Sequence, residues 1–276
     1  MRHVIGIVPA AGLSSRLRPF RYPKELLPVS YAWSVDGREV RPQLVIEHVL
    51  QAARQADATR CIVVVSDAKA DIMRYLGDGS AHGLQLAYVV QEKPLGLAHA
   101  VEQACRWAAP FETDCCMAMP DTLFEPQDAL QQVYDELVRC EADLVLGVFP
   151  TRRPNELGPV AVRADGTVGA VFDKPRQPKH FNTWALAAWT PRFTELLRQH
   201  CMDSASEEVI LGAVFDDACR RGLSVRAVHF PEGRFTDLGT REGLAALFGR
   251  SGNGHADADR PRPVDGEIDD IHANGR

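Results

Sequence analysis

Short apolar, β-branched runs alternate with stretches of helical spacing through the first half of this chain, and that alternation limits what it can become. Runs at 3–8, 61–65, 84–90, 115–119 and 144–149 read as strands, and 44–55, 68–76, 97–107 and 129–140 between them carry apolar residues at helical spacing. The pattern predicts an α/β fold: βαβ units and a mixed, mostly parallel sheet with helices on both faces. Ligands of such sheets sit beyond the carboxyl ends of the strands. The second half changes character. Runs at 159–163 and 168–172 flank Asp165-Gly166, a hairpin signal. Further strands are expected at 183–189 and 224–230, and helices at 191–200, 207–220 and 241–248. The segment 31–41 interrupts the first crossover and reads as either a lid or a β-hairpin around Asp36-Gly37. Residues 250–276 are rich in Gly, Asp, Pro and Arg and are expected to be a disordered tail. The expected organisation is one domain over 1–249, with halves 1–150 and 151–249.

Composition excludes several classes. At 276 residues and 45% hydrophobic, the chain can bury one substantial core or two small ones. A formal net charge of -6 argues against a general nucleic-acid binder, which needs a basic face, but not against holding one nucleotide. The seven cysteines, at 61, 105, 115, 116, 140, 201 and 219, include no C-x-x-C pair. Their odd number, with no signal-peptide pattern at the N-terminus, points to a reduced cytoplasmic setting. No apolar stretch approaches the roughly 20 residues of a membrane span. The nine histidines lack metal-ligand spacing, and there is no serine–histidine–acid pattern, no hexapeptide repeat and no G-x-G-x-x-G of a dinucleotide-binding oxidoreductase.

Three places carry chemistry in their own residues. The strand Val4-Ile5-Gly6-Ile7-Val8-Pro9 runs into Ala10-Ala11-Gly12-Leu13-Ser14-Ser15, then Arg16, with Pro23-Lys24 close behind. Small residues let backbone N–H groups approach a phosphate, and a following helix start adds its positive end. Arg16 and Lys24 supply fixed charge for phosphate oxygens. In Val90-Gln91-Glu92-Lys93-Pro94-Leu95-Gly96-Leu97, the Gln91 amide can donate and accept along a nucleobase edge, and Gly96 lets backbone approach it. His99, on the following helix, reads as a structural residue. Asp121 closes the strand near 115–119, and a carboxylate at a strand end suits Mg²⁺ shared with phosphates and water.

In this order the segments resemble the sugar-1-phosphate nucleotidylyltransferases, whose loop runs roughly G-G-x-G-x-R-L-x-P and then P-K. The resemblance covers about 4–248 and implies a Rossmann-like, nucleotide-diphospho-sugar transferase type of fold. Gly12 is the one loop glycine retained, and Ser14 stands for the next. The resemblance implies that Ala10, Ala11, Gly12, Leu13, Ser14, Ser15, Gln91, Pro94, Gly96 and Leu97 bind the nucleotide, and that Arg16, Lys24 and Lys174 are the catalytic cations. Asp237, in Phe235-Thr236-Asp237-Leu238-Gly239-Thr240, resembles the family's W-x-D-x-G-T and implies a second Mg²⁺ ligand beside Asp121. Asp173-Lys174-Pro175 resembles E-K-P. Gly158, Asp173, Lys174 and Asn182 would line the sugar-phosphate portion in the second half, although the family's G-x-Y after the asparagine is replaced around Ala185 and Ala187. The resemblance offers Glu207 or Glu208 as a further acid near the sugar, but both read first as ordinary acids of a helix N-terminus.

The implied reaction joins a nucleoside triphosphate, UTP or dTTP, to a sugar 1-phosphate, glucose 1-phosphate, with release of pyrophosphate and Mg²⁺ as cofactor. Two alternatives stay open: another phosphate acceptor (a different hexose, a cyclitol phosphate or phosphocholine), or a catalytically weakened regulator that binds a nucleotide-sugar. The partners implied are small molecules, with no nucleic acid and no membrane, and a homo-oligomer is left open.

Overall fold

The structure is a computed structural model that describes residues 3–13, 17, 22–33, 40–108, 113–204 and 207–251. Its centre is a seven-stranded sheet built from β1 (Val4–Pro9), β4 (Arg60–Val65), β5 (Gln85–Val90), β6 (Asp114–Ala118), β8 (Leu144–Pro150), β11 (Asn182–Trp189) and β12 (Val225–His229). Their order is β12-β8-β11-β6-β1-β4-β5. Every pairing is parallel except those of β11, which runs antiparallel to both β6 and β8. The strand from the second half therefore lies between two strands of the first half, inside one sheet. This is the mixed, mostly parallel, Rossmann-like fold expected.

The continuous apolar runs follow from burial on both faces. Strand β1 is buried at all six positions. Val4 and Val8 point into one apolar layer, formed with α1 (Val45–Gln55), α2 (Ala70–Leu76) and α4 (Ala129–Arg139). Ile5 and Ile7 point into the other, formed with α3 (Gly96–Ala108), α5 (Pro191–Asp203) and α6 (Leu211–Arg220). Four cysteines, at 61, 105, 115 and 116, are buried in these layers, and burial pushes the Cys61 thiol up to about 12, so it behaves as a small apolar group.

The departures lie at the edges. The 31–41 segment contributes to two antiparallel strands, β2 (Pro28–Trp33) and β3 (Val40–Leu44), paired up to Trp33 and Val40. These are hairpin arms, and the Asp36-Gly37 tip expected between them lies outside the described residues, as does the tail from 252 onward. The second hairpin, β9 (Val160–Val162) with β10 (Val168–Val171), is as expected. The helix expected over 207–220 starts only at Leu211, because Ile210 is extended. Unforeseen altogether is a two-stranded antiparallel ribbon of β7 (Thr122–Glu125) and β13 (Arg234–Asp237), which leads into α7 (Arg241–Ser251).

Candidate active site

The loop after β1 leaves the carboxyl edge of the sheet. Ala10 N–H donates to Val64 O (2.8 Å) and Val8 O (3.0 Å), so the first loop residue is still tied to β4. Ala10 and Ala11 are buried, whereas Gly12 and Leu13 are exposed. Among the described residues, a Cβ on Gly12 would meet nothing within 4 Å, so none of them demands glycine there. Its small size is free to serve a ligand approaching the loop. Ser14, Ser15 and Arg16 lie outside the described residues.

Below the loop sits a charged cluster that no motif announced. Lys69 Nζ donates to Ala10 O (2.9 Å) and pairs with Glu25 Oε1 (2.6 Å), and both side chains are buried. Burial raises the Glu25 carboxyl against the pull of Lys69, and burial lowers the Lys69 ammonium against the pull of Glu25. The neighbouring Lys24 forms a buried ion pair with Asp121. The pair at 25 and 69 thus ties three things together: the start of the loop, the turn bearing Lys24, and the end of β4.

The β7–β13 ribbon brings the two candidate metal aspartates to one place. Asp237 lies opposite Thr122, the residue after Asp121. Leu238 N–H donates to Asp121 O (2.9 Å), and Gly239 N–H donates to Asp237 Oδ1 (2.7 Å). A Cβ on Gly239 would lie 2.7 Å from Lys24 Nζ and 2.8 Å from both Asp121 Oδ2 and Asp237 Oδ1. Three charged atoms from three parts of the chain therefore surround one bare α-carbon. Thr240 locks the turn: its hydroxyl donates to Asp237 O (2.9 Å) and accepts Gly243 N–H (3.1 Å), capping α7.

Behind the ribbon, His48 Nε2 accepts Phe124 N–H (3.3 Å), and the two rings meet edge to face at 4.5 Å. Burial lowers the pKa of His48 below its usual value, and burial does the same to His82 and His99. The folded protein therefore takes up protons on these rings less readily than the unfolded chain, whose imidazoles protonate near pH ~6.5. Below that pH the unfolded chain binds the extra protons, so stability falls as pH drops through it. The melting temperature is expected to fall between pH 7 and pH 5.5, and His48→Gln should flatten that fall. An equally steep fall in the variant would remove His48 from the account.

The segment after β5 forms a second cluster. Gln91 is buried, and its Nε2 donates to Gly96 O (3.3 Å) and to His99 Nδ1 (2.9 Å). Gly96 has φ +87°, a conformation that favours glycine, and a Cβ there would lie 2.6 Å from Glu208 Cγ and Oε1. Glu208 is therefore no helix N-terminal acid: α6 begins only at Leu211, and the Glu208 carboxylate lies over Gly96. Pro94 is exposed and Leu97 half-buried at the same mouth.

A third cluster lies on the β9–β10 hairpin. A Cβ on Gly158 would collide with the Trp184 indole, and the Trp184 backbone N–H donates to Gly158 O (3.2 Å). Trp184 packs edge to face on Phe215 at 5.0 Å. Lys174 N–H donates to Leu157 O (2.9 Å) with φ +41°, so Lys174 is held in a conformation unusual for a side-chain-bearing residue, next to Gly158. Lys174 and Asp173 are exposed. Asn182 accepts Val160 N–H at Oδ1 (2.8 Å) and donates to Val160 O from Nδ2 (3.0 Å), so both ends of its amide hold β9. The structure thus brings Lys24, Asp121 and Asp237 together, and separately Gln91 with Gly96, and Gly158 with Lys174. Trp184, Lys69 and Glu25 are the residues that sequence reasoning did not place.

A small-residue loop after β1, a pair of carboxylates with a lysine, and a buried amide beside Gly96 are thus carried by one Rossmann-like sheet and the ribbon and hairpin attached to it. The profile of the nucleotidyl transferase family matches residues 5–250, and the chain belongs to that family. It is 31% identical over 177 residues to a glucose-1-phosphate thymidylyltransferase of Streptomyces griseus, covering 63% of this chain and 45% of that protein. It is 28% identical over 245 residues to the bifunctional protein GlmU of Ruegeria pomeroyi, covering 87% of this chain and 51% of GlmU. The chain spans about half the length of the curated relatives it matches. Among solved structures, the UTP-bound UGPase of Acinetobacter baumannii superposes with a TM-score of 0.71 at 19% identity, over 93% of this chain and 95% of that one. A Bacillus anthracis protein described as a glucose-1-phosphate thymidylyltransferase superposes at 0.76 with 20% identity, over 91% and 96%. Among the described residues, no helix is long and apolar enough to cross a membrane.

Proposed function

We propose that this chain transfers a nucleotidyl group from UTP or dTTP to a sugar 1-phosphate, glucose 1-phosphate, and releases pyrophosphate. The observation that carries the reading is the convergence of Lys24, Asp121 and Asp237 on Gly239 near the loop that begins at Ala10. The name of the Streptomyces griseus relative, a glucose-1-phosphate thymidylyltransferase at 31% identity, supports these substrate classes.

The sugar-phosphate oxygen forms a bond to the α-phosphorus as the bond from that phosphorus to the bridging oxygen breaks, and pyrophosphate leaves with the electron pair. The attacking phosphate is already ionised near pH 7, so no side chain needs to remove a proton. The difficulty is bringing anions together, and fixed charge placed in advance is what lowers that barrier. Lys24 would hold the departing pyrophosphate, with Arg16 as a second cation. The backbone of residues 10–15 would line the phosphates. Gln91 and Gly96, flanked by Pro94 and Leu97, would hold the base. Gly158 and Asp173 would meet the sugar, and Lys174 would align the acceptor phosphate. Asn182 would contribute by holding β9 beneath Gly158.

The donors fit Mg²⁺. Two carboxylates face one point, and among the described residues no group of three or more His, Cys, Asp or Glu gathers as a closed cage would need. When bound between Asp121 and Asp237, the ion would supply charge neutralisation at phosphate oxygens. In this reading 1–249 works as one domain, with nucleotide on the 1–150 side and sugar phosphate on the 151–249 side.

The test is pyrophosphate release with Mg²⁺ across the common nucleoside triphosphates, crossed with sugar phosphates, a cyclitol phosphate and phosphocholine. Release is expected with UTP or dTTP and glucose 1-phosphate. Release with a different acceptor alone would correct the substrate. Silence across the panel, from folded protein that still binds nucleotide, would replace the transferase reading with that of a nucleotide-sugar-binding regulator.

A further inference from the structure

Gln91 can read a base only if its amide is held one way round, because its two ends are opposites: Oε1 accepts and Nε2 donates. Two neighbours fix that choice. Gly96 offers a carbonyl oxygen, which only accepts, so the amide atom 3.3 Å from it is the NH₂ group. The same NH₂ lies 2.9 Å from His99 Nδ1, which must then be an acceptor. A neutral imidazole has one acceptor and one donor nitrogen, so the proton of His99 sits on Nε2. His99 lies on α3, with Glu102 on the same helix and the charged Arg106 one turn further on; its lowered pKa, due mainly to burial, keeps it in that neutral form near pH 7.

We propose that His99 is a positioning residue for nucleobase choice: with Gly96 it takes both N–H bonds of Gln91, turns Oε1 to the base, and so selects a pyrimidine bearing a ring N–H. Uracil and thymine present N3–H to such an oxygen. Cytosine presents a bare N3 and would place two acceptors against each other. This inference rests on the reading of Gln91 as the base-contacting residue, and it adds what sets the direction of that contact.

The test is equilibrium binding of UTP, dTTP and CTP to the wild-type chain, His99→Phe and His99→Asp, with turnover measured separately. The wild type should prefer UTP and dTTP to CTP. His99→Phe keeps a ring of similar size but no acceptor, and should cut that preference about 3- to 10-fold, the worth of one hydrogen bond. His99→Asp restores an acceptor and should restore the preference. A purely structural His99 would weaken all three nucleotides together. The proposal is overturned if the wild type favours CTP, if His99→Phe keeps the full preference or weakens every nucleotide equally, or if His99→Asp fails to recover it. Binding that follows the expected pattern without any turnover would uphold the role of His99 and count against the transferase reading instead.

Discussion

Gly239→Ala is expected to lower turnover by about 100-fold or more while leaving the melting temperature nearly unchanged, the loss typical of disturbing one preorganised charge. The new methyl would stand 2.7 Å from Lys24 Nζ and 2.8 Å from Asp121 Oδ2 and Asp237 Oδ1. Each of these atoms is the far end of a side chain rather than backbone, so the fold can absorb the methyl by letting them swing aside. The site cannot, because those ends are the groups that meet phosphate and Mg²⁺. Gly239 does not have the left-handed backbone that would penalise alanine by itself. The variant therefore separates site from scaffold. Asp237→Ala is expected to lose activity to a similar degree by removing one member of the trio. Steady-state pyrophosphate release, with thermal melts of the same samples, checks both. Near-normal turnover in Gly239→Ala would show that the convergence on this α-carbon has no catalytic meaning.

Lys69→Met is expected to cost about 3–5 kcal/mol of stability, the usual penalty for stranding one member of a buried ion pair. For a chain of this size that corresponds to a fall in melting temperature on the order of 10 °C. Glu25 would remain buried without the ammonium that offsets its desolvation, and Ala10 O would lose its donor as well. Adding Glu25→Gln to Lys69→Met removes the stranded charge, so the double variant should recover a large part of the loss. Denaturant titration of the two variants decides the matter. A single variant as stable as the wild type, or a double variant no better than the single, would mean that the pair does not hold the loop as described.

What the sequence showed, and what it hid, follows from how far apart the interacting residues lie. The sheet was legible because strands such as β1 and β6 are buried on both faces, which leaves an uninterrupted apolar run to read. The expected helices matched closely where an amphipathic stripe runs their full length. The 207–220 stretch misled because Val209 and Ile210 continue the apolar spacing, while Ile210 is extended and the Glu208 side chain lies against Gly96. The aspartates at 121 and 237 were readable from their motifs, but the ribbon that joins them was not: each strand has four residues, too few to show a period. Lys69 and Glu25 belong to residue types found mostly on surfaces, and their partnership spans 44 positions. Asn182 was placed at the right strand, yet the backbone of Val160 that engages its amide is visible only after folding.

The β7–β13 ribbon also has a meaning for the order of synthesis. A ribosome releases Asp121 midway through the chain, already beside β6, but its partner Asp237 lies near the end of the last described strand. Most of the sheet can form on the nascent chain while the two carboxylates are still apart. The fold thus withholds its charged centre until nearly all of the described residues have emerged, so a growing polypeptide can bury its apolar layers well before it can gather Lys24, Asp121 and Asp237 around Gly239.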